Sequence, residues 1–209
     1  MGSKRFFPAV AWSLMVLGGL VVVGCRRGPE PPPKPQLEPA QAAAEAIRLY
    51  DKNGNGILEP EEWKQSPGLA AAKDRIDRDG DGKITSQEIA DRIASWLQSP
   101  AIRTTCTLQI NLDGRPLEGA TVTLEPEPFL GPSFKAASGT TDLMGMASVS
   151  GPDEKFLGVY LGLYRVKVSK QVGGRETIPA RYNSQTELGC EVATDIGGIG
   201  YTQVDLHSR

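Results

Sequence analysis

Three hydrophobic textures follow one another along the chain. An apolar run, AVAWSLMVLGGLVVVG from Ala9 to Gly24, stands behind Lys4 and Arg5. It has the length of a secretion-signal core rather than of a stable membrane span, and two glycines interrupt it. The next segment, RRGPEPPPKPQLEP from Arg26 to Pro39, has no apolar period. Proline fixes φ and brings no amide hydrogen, so this segment is expected as an extended, semi-rigid tether. Apolar residues then recur at helical spacing. The alanine-rich AQAAAEAIRLY (Ala40 to Tyr50) predicts one helix. SQEIADRIASWLQ (Ser86 to Gln98), with Ile89, Ile93 and Trp96–Leu97 in helical register, predicts another that Pro100 closes.

From Thr104 the period drops to two. CTLQINL, GATVTLEP, GMASVSG, LYRVKVSK, LGCEVAT and YTQVDLH read as strands, separated by turn signals at Asp113-Gly114, Asp142 to Gly145 and Gly173-Gly174. Regularly spaced short strands with no helix between them predict an antiparallel β-sandwich. Within LYRVKV, Tyr164, Val166 and Val168 are expected to face the core, and Arg165 and Lys167 to face water.

Two polar stretches interrupt the helical part: DKNGNGILEPEE, Asp51 to Glu62, and DRDGDGKITSQE, Asp77 to Glu88. In each, oxygen-bearing side chains stand at positions one, three and five, a glycine at six, an aliphatic at eight and a glutamate at twelve. A hard cation such as calcium takes about 6 to 8 oxygen ligands, and a loop of about 12 residues can supply them at these places. In the first loop the candidate ligands are Asp51, Asn53, Asn55, the Ile57 carbonyl, Glu59 through water, and Glu62 in bidentate fashion. In the second they are Asp77, Asp79, Asp81, the Lys83 carbonyl, Thr85 and Glu88. Leu58 and Ile84 at position eight suit a short strand contact between the loops. Thr85 and Glu88 also stand as the two ends of a capping box, and Pro60 suits the first position of a helix.

Two such matches in tandem resemble the EF-hand family in its compact bacterial form, over roughly Ala40 to Gln98. The loops start closer together than in eukaryotic sensor pairs, and Pro67-Gly68 is expected to break the connection and leave the inner helices stubby. Dockerin modules share the loop pattern. They usually close on aspartate at position twelve, so Glu62 and Glu88 favour an EF-hand pair, which implies two Ca²⁺ ions. The second loop offers four carboxylates against two direct ones and Glu59 in the first, so it is expected to bind more tightly.

Val22-Val23-Gly24-Cys25 resembles the lipobox of bacterial lipoproteins, with valine where leucine is commonest. That family implies cleavage before Cys25, lipidation of its thiol, and a protein held on a membrane at the cell envelope, on the periplasmic face or the cell surface. An uncleaved N-terminal anchor is the alternative. Arg26 stands where some bacteria place an aspartate for inner-membrane retention. The remaining cysteines, Cys106 and Cys190, are an even pair, which in an oxidising compartment is either a disulfide or two separate buried thiols.

The β part resembles carboxypeptidase-regulatory-like or transthyretin-like sandwiches, through Asp113-Gly114-Arg115-Pro116-Leu117-Glu118-Gly119-Ala120, Thr141-Asp142-Leu143-Met144-Gly145 and Gly162-Leu163-Tyr164-Arg165-Val166-Lys167-Val168. The resemblance specifies fold and says little of activity. The expected organisation is a signal peptide over 1–24, a tether over 25–39, a small all-α EF-hand pair over 40–99 and an all-β transthyretin-like or Ig-like sandwich over 104–209. No catalytic constellation accompanies these parts: the one histidine, His207, lies beside the terminus, and no enzymatic role is expected. The formal net charge of −2 leaves no electrostatic footprint for nucleic acid. The expected partners are the membrane and an envelope protein or glycan. A calcium-dependent adhesion or carbohydrate-binding module using loops such as Glu127 to Ser138, or a dockerin-like module, is the alternative.

Overall fold

Small side chains set the spacing of the helical half. The computed structural model describes residues 1–2, 32–153, 155–196 and 201–209. The signal run, Cys25 and the start of the tether, through residue 31, lie outside the described residues. The order is α1 (Pro39–Tyr50), β1 (Ile57–Leu58), α2 (Pro60–Trp63), α3 (Pro67–Ile76), β2 (Ile84–Thr85) and α4 (Ser86–Gln98). Ala42, Ala43 and Ala46 of α1 are buried, and their short side chains let α1 lie along α4, which buries Ile89, Ile93 and Trp96. Pro67-Gly68 does not break the chain here. Pro67 occupies the first turn of α3, where a missing N–H costs nothing, behind Ser66, whose hydroxyl accepts from the Leu69 N–H at 3.3 Å. So α2 is one turn, as expected of an inner helix, while α3 runs for 10 residues.

The β half continues with β3 (Arg103–Thr104), β4 (Cys106–Leu112), β5 (Arg115–Pro116), β6 (Thr121–Pro126), β7 (Ala137–Thr140), β8 (Met146–Val149), β9 (Val159–Tyr160), β10 (Gly162–Ser169), β11 (Gln171–Val172), β12 (Arg175–Glu176), β13 (Gly189–Val192) and β14 (Thr202–Leu206). One sheet has the order β13-β10-β6-β7, antiparallel throughout. The other centres on β4, with β8 and β5 antiparallel to it and β14 on its far side. β14 is the exception to the antiparallel expectation: it pairs with β4 in parallel, from Thr202↔Leu108 to Leu206↔Leu112. β13 and β14 belong to different sheets, so no hairpin dictates the direction of β14. Leu108 and Ile110 from one sheet, and Val122, Leu124, Tyr164, Val166 and Val168 from the other, are buried as period-two patterning requires.

The outer face of the β13-β10-β6-β7 sheet meets water only in part: Thr121, Ser138 and Thr140 are exposed on β6 and β7. Pro32–Arg209 is one compact unit, and α3 packs on β13 and β10, adding a helical layer to the two sheets. Arg165, expected in solvent, instead donates to Glu127 Oε2 (3.1 Å) and to the Tyr50 hydroxyl (2.9 Å). Lys167 is half-buried against Glu125. Alternation had separated core from non-core correctly; it could not tell water from a polar interlayer contact. The segment Glu127 to Ser138 is packed over part of its length, while Pro132, Lys135, Ala136 and Ser138 are exposed. Glu127, Phe129, Leu130 and Phe134 are buried, Phe129 meets Tyr50 edge-on at 6.4 Å, and Ser138 belongs to β7. The end of the tether also docks, with Leu37 buried and the Tyr160 hydroxyl donating to the Pro33 carbonyl at 2.7 Å.

Two carboxylates pin the helices to the sheet. Buried Glu127 accepts from the Gly68 N–H (2.8 Å) in the first turn of α3, and from the Tyr50 hydroxyl (3.1 Å) at the end of α1. Glu191 on β13, its side chain 0% exposed, accepts from Arg92 Nε (2.6 Å), Trp96 Nε1 (3.0 Å) and Arg75 Nε. Arg92 completes a fork with Asp195 at 2.6 and 2.9 Å. The layers approach closely at Gly189, where a Cβ would stand 1.8 Å from the Pro67 carbonyl oxygen. Only glycine fits there.

Candidate metal centre

Both polar loops fold around their first aspartate. Asp51 and Asp77 cap the C-termini of α1 and α3. Each carboxylate then gathers the loop's own amides: Asp51 accepts from Gly54 and Gly56 N–H (2.7 and 2.8 Å), and Asp77 from Gly80 and Gly82 N–H (2.8 and 3.0 Å). The residues at positions three and five each accept from the amide two places on: Asn53 from Asn55, Asn55 from Ile57, Asp79 from Asp81, and Asp81 from Lys83. Such Asx turns curl the loop so that its side-chain oxygens converge. The sharp reversal falls at Gly56 (φ 79°) and Gly82 (φ 84°), left-handed conformations that a side chain would strain.

The closing glutamates complete both loops. Glu62 Oε1 reaches back to Lys52 and Asn53 N–H (2.9 and 3.3 Å), while Oε2 accepts from Glu59 N–H (3.0 Å). Glu88 Oε1 accepts from Arg78 N–H (3.0 Å), and Oε2 from the N–H (2.9 Å) and hydroxyl (2.8 Å) of Thr85. The Thr85–Glu88 capping box expected from the sequence is present, and Glu59 with Glu62 forms a second one. β1 and β2 join the loops through Leu58↔Ile84 and Ile57↔Thr85, with Leu58 and Ile84 fully buried. Ile57 opens β1 and Lys83 immediately precedes β2, so both main-chain candidates stand at this ribbon. Two further ties cross between the loops. Lys83 Nζ pairs with Glu59 Oε1 at 3.1 Å, and Trp63 Nε1 donates to the Gly82 carbonyl at 3.2 Å. Neither was evident in the sequence, because side chains of opposite loops have no fixed spacing. Glu59 also accepts from Asn53 Nδ2 (3.2 Å), so its carboxylate is already engaged on both oxygens.

The electrostatics suit a cation. Oxygens of Asp77, Asp79 and Asp81 lie within 4.8 Å of one another. Three carboxylates this close repel unless a positive charge joins them. Burial works to raise the pKa of Asp77, but the Gly82 and Gly80 amides and the Lys73 ammonium, 3.5 Å away, outweigh it and keep the group below its ordinary range. Amides of Glu59, Lys52 and Asn53 hold Glu62 low in the same way. Both groups are therefore anionic at neutral pH and available as hard ligands. Their donors are all oxygens, with no thiol or imidazole among the candidates, which fits Ca²⁺ or Mg²⁺ and not a soft metal.

The sequence model of the family described as EF hand matches residues 44–65 and 74–91, each stretch containing one loop. That match and the aspartate cluster support calcium binding. Among the described residues, a small helical region carrying the EF-hand match is thus followed by β-sheets that are antiparallel except for β14. No curated protein matches the chain.

Proposed function

We propose that this is a calcium-binding, lipid-anchored protein of the cell envelope, in which two bound ions stabilise a rigid helix–sandwich unit. The observation that carries the reading is the repeated, pre-curled oxygen cage: aspartate at one, amide or carboxylate at three and five, glutamate folded back from twelve. Asp51, Asn53, Asn55, the Ile57 carbonyl and Glu62 would hold one ion. Asp77, Asp79, Asp81, the Lys83 carbonyl and Glu88 would hold the other. Glu59 and Thr85 stand at the ninth places. The ions supply charge compensation and cross-linking, not chemistry.

A structural role fits better than a sensor role. A sensor opens its helices to expose an apolar groove. Here α3 and α4 are already committed to the sheet through Glu191, and α1 and α3 through Glu127. Outside the cytoplasm such modules work at Kd of about 10⁻⁴ to 10⁻³ M, so ions at that level stay bound. The residues that resemble a lipobox at Val22 to Cys25 support anchoring. The Asp113-Gly114 turn and the Asp142 loop, whose carboxylate accepts from Met144 and Met146 N–H at 2.8 and 2.9 Å, support the transthyretin-like reading of the sandwich. A binding role for the sandwich, towards an envelope protein or glycan, and the absence of catalysis complete the proposal. Calorimetric titration of chelator-stripped protein tests the ion claim: two binding events are expected, and one or none refutes it. Incorporation of a labelled fatty acid in cells, lost in Cys25→Ala, tests the anchor separately.

A further inference from the structure

The seam between the two sheets holds a chemical pair that the calcium reading does not use. Cys106 opens β4 and Cys190 lies in β13, strands of different sheets with no backbone ladder between them among the described residues. Both thiols are free, and they stand near enough for each to shift the other's titration. Their surroundings differ. Cys190 is buried. Cys106 is half-buried and lines a cleft of about 370 Å³, together with Thr104, Thr107, Glu191, Thr194 and Tyr201. A reagent arriving from solvent therefore meets Cys106 and not Cys190.

We propose that the two cysteines form an ordered redox pair, Cys106 attacking and Cys190 resolving, whose oxidation staples β4 to β13. The reaction partner is a small-molecule disulfide. Cys106, as thiolate, attacks one sulfur of that disulfide; a mixed disulfide forms and one small thiolate leaves. Cys190 then loses its proton and attacks the Cys106 sulfur. The protein disulfide closes and the second small thiolate leaves. The protein gives up two hydrogens as two protons and two electrons, and the small disulfide is reduced to two thiols. The neighbouring Cys190 side chain favours the Cys106 thiolate and outweighs the effect of burial. Cys106 and burial together push the Cys190 thiol up, so it keeps its proton more readily. Thiolate fraction and access govern which thiol reacts first, and both point to Cys106. The inference is independent of the calcium reading.

The test exposes folded, reduced full-length protein to oxidised glutathione and maps the modified cysteines by peptide mass spectrometry, which keeps Cys25 apart from the pair. Wild type is expected to pass through glutathione on Cys106 and end with a Cys106–Cys190 bond, two hydrogens lighter and with a raised Tm. Cys190→Ser should stop at the mixed disulfide on Cys106. Cys106→Ser should leave Cys190 unmodified until urea unfolds the chain. If either variant fails to fold, the wild-type time course still decides, because the order of modification is read directly. Modification of Cys190 before Cys106, a stable mixed disulfide in wild type, or no reaction at Cys106 each overturns the proposal.

Discussion

The two loops are nearly the same piece of backbone set in different mechanical surroundings. Both begin with an aspartate that gathers two glycine amides, and both end with a glutamate that reaches back to the loop's start. The second carries aspartate at positions three and five where the first carries asparagine. It is also the better anchored. The helices on both sides of it, α3 and α4, are held by one residue of the sheet, Glu191, through Arg75, Arg92 and Trp96. Arg75 is two residues from Asp77, so the second loop is tied to β13 within two residues of its first aspartate. On the first loop, only α1 is held, through Tyr50 to Glu127, and α2 has no hydrogen bond to the sheet among the described residues. A repeated motif thus yields one loop built into the scaffold and one resting on its edge.

The strongest way to break this comparison is Glu191→Ala. It leaves Arg92 buried with only Asp195 for a partner, and removing one member of a buried charge pair costs about 3–5 kcal/mol. Denaturant unfolding should register that loss, and calorimetry should show the tighter calcium event weakening more than the looser one. An equal effect on both events would remove the asymmetry. Next in size is Gly189→Ala, which drives a methyl into the Pro67 carbonyl and should cost about 1–3 kcal/mol or more by overpacking, although it touches neither loop. Thermal unfolding in saturating calcium checks it; an unchanged Tm would mean that the layers are not in rigid contact.

Smaller effects are expected within the loops. Asp77→Ala should weaken the tighter calcium event at least tenfold, or about 1.4 kcal/mol. Asp51→Ala should remove only the weaker event. Loss of the stronger phase in Asp51→Ala with its retention in Asp77→Ala would reverse the assignment. Least in size, Asn55→Asp gives loop one a third direct carboxylate and should raise its affinity a few-fold, narrowing the gap between the sites in the same titration.

The loops were legible in the sequence because every candidate ligand is fixed by local spacing. The strands at Cys106–Leu112 and Gly162–Ser169 were legible because bulky apolar residues alternate there. β7 was not, since Ala137, Ser138 and Gly139 carry too little hydrophobic contrast to show a period. Pro67-Gly68 reads as a breaker in isolation, yet after Ser66 it begins a helix. The interlayer clamp was the largest omission. Glu127, Glu191, Arg75 and Arg92 look like ordinary surface charges along the chain, and only the packing of helices on the sheet brings them together. Cys106 and Cys190 were recognisable as a pair by count alone. Their unequal access required the cleft.

The central claim is that calcium in the helical half stabilises the whole unit, sheet included. Native-state amide hydrogen exchange in saturating calcium and in chelator tests it most directly. Exchange in β10 and β13 is expected to slow with calcium together with exchange in α3 and α4, because one cooperative unit opens as a whole. Protection gained in the two loops alone, with β10 and β13 exchanging at the same rate in both conditions, would contradict it.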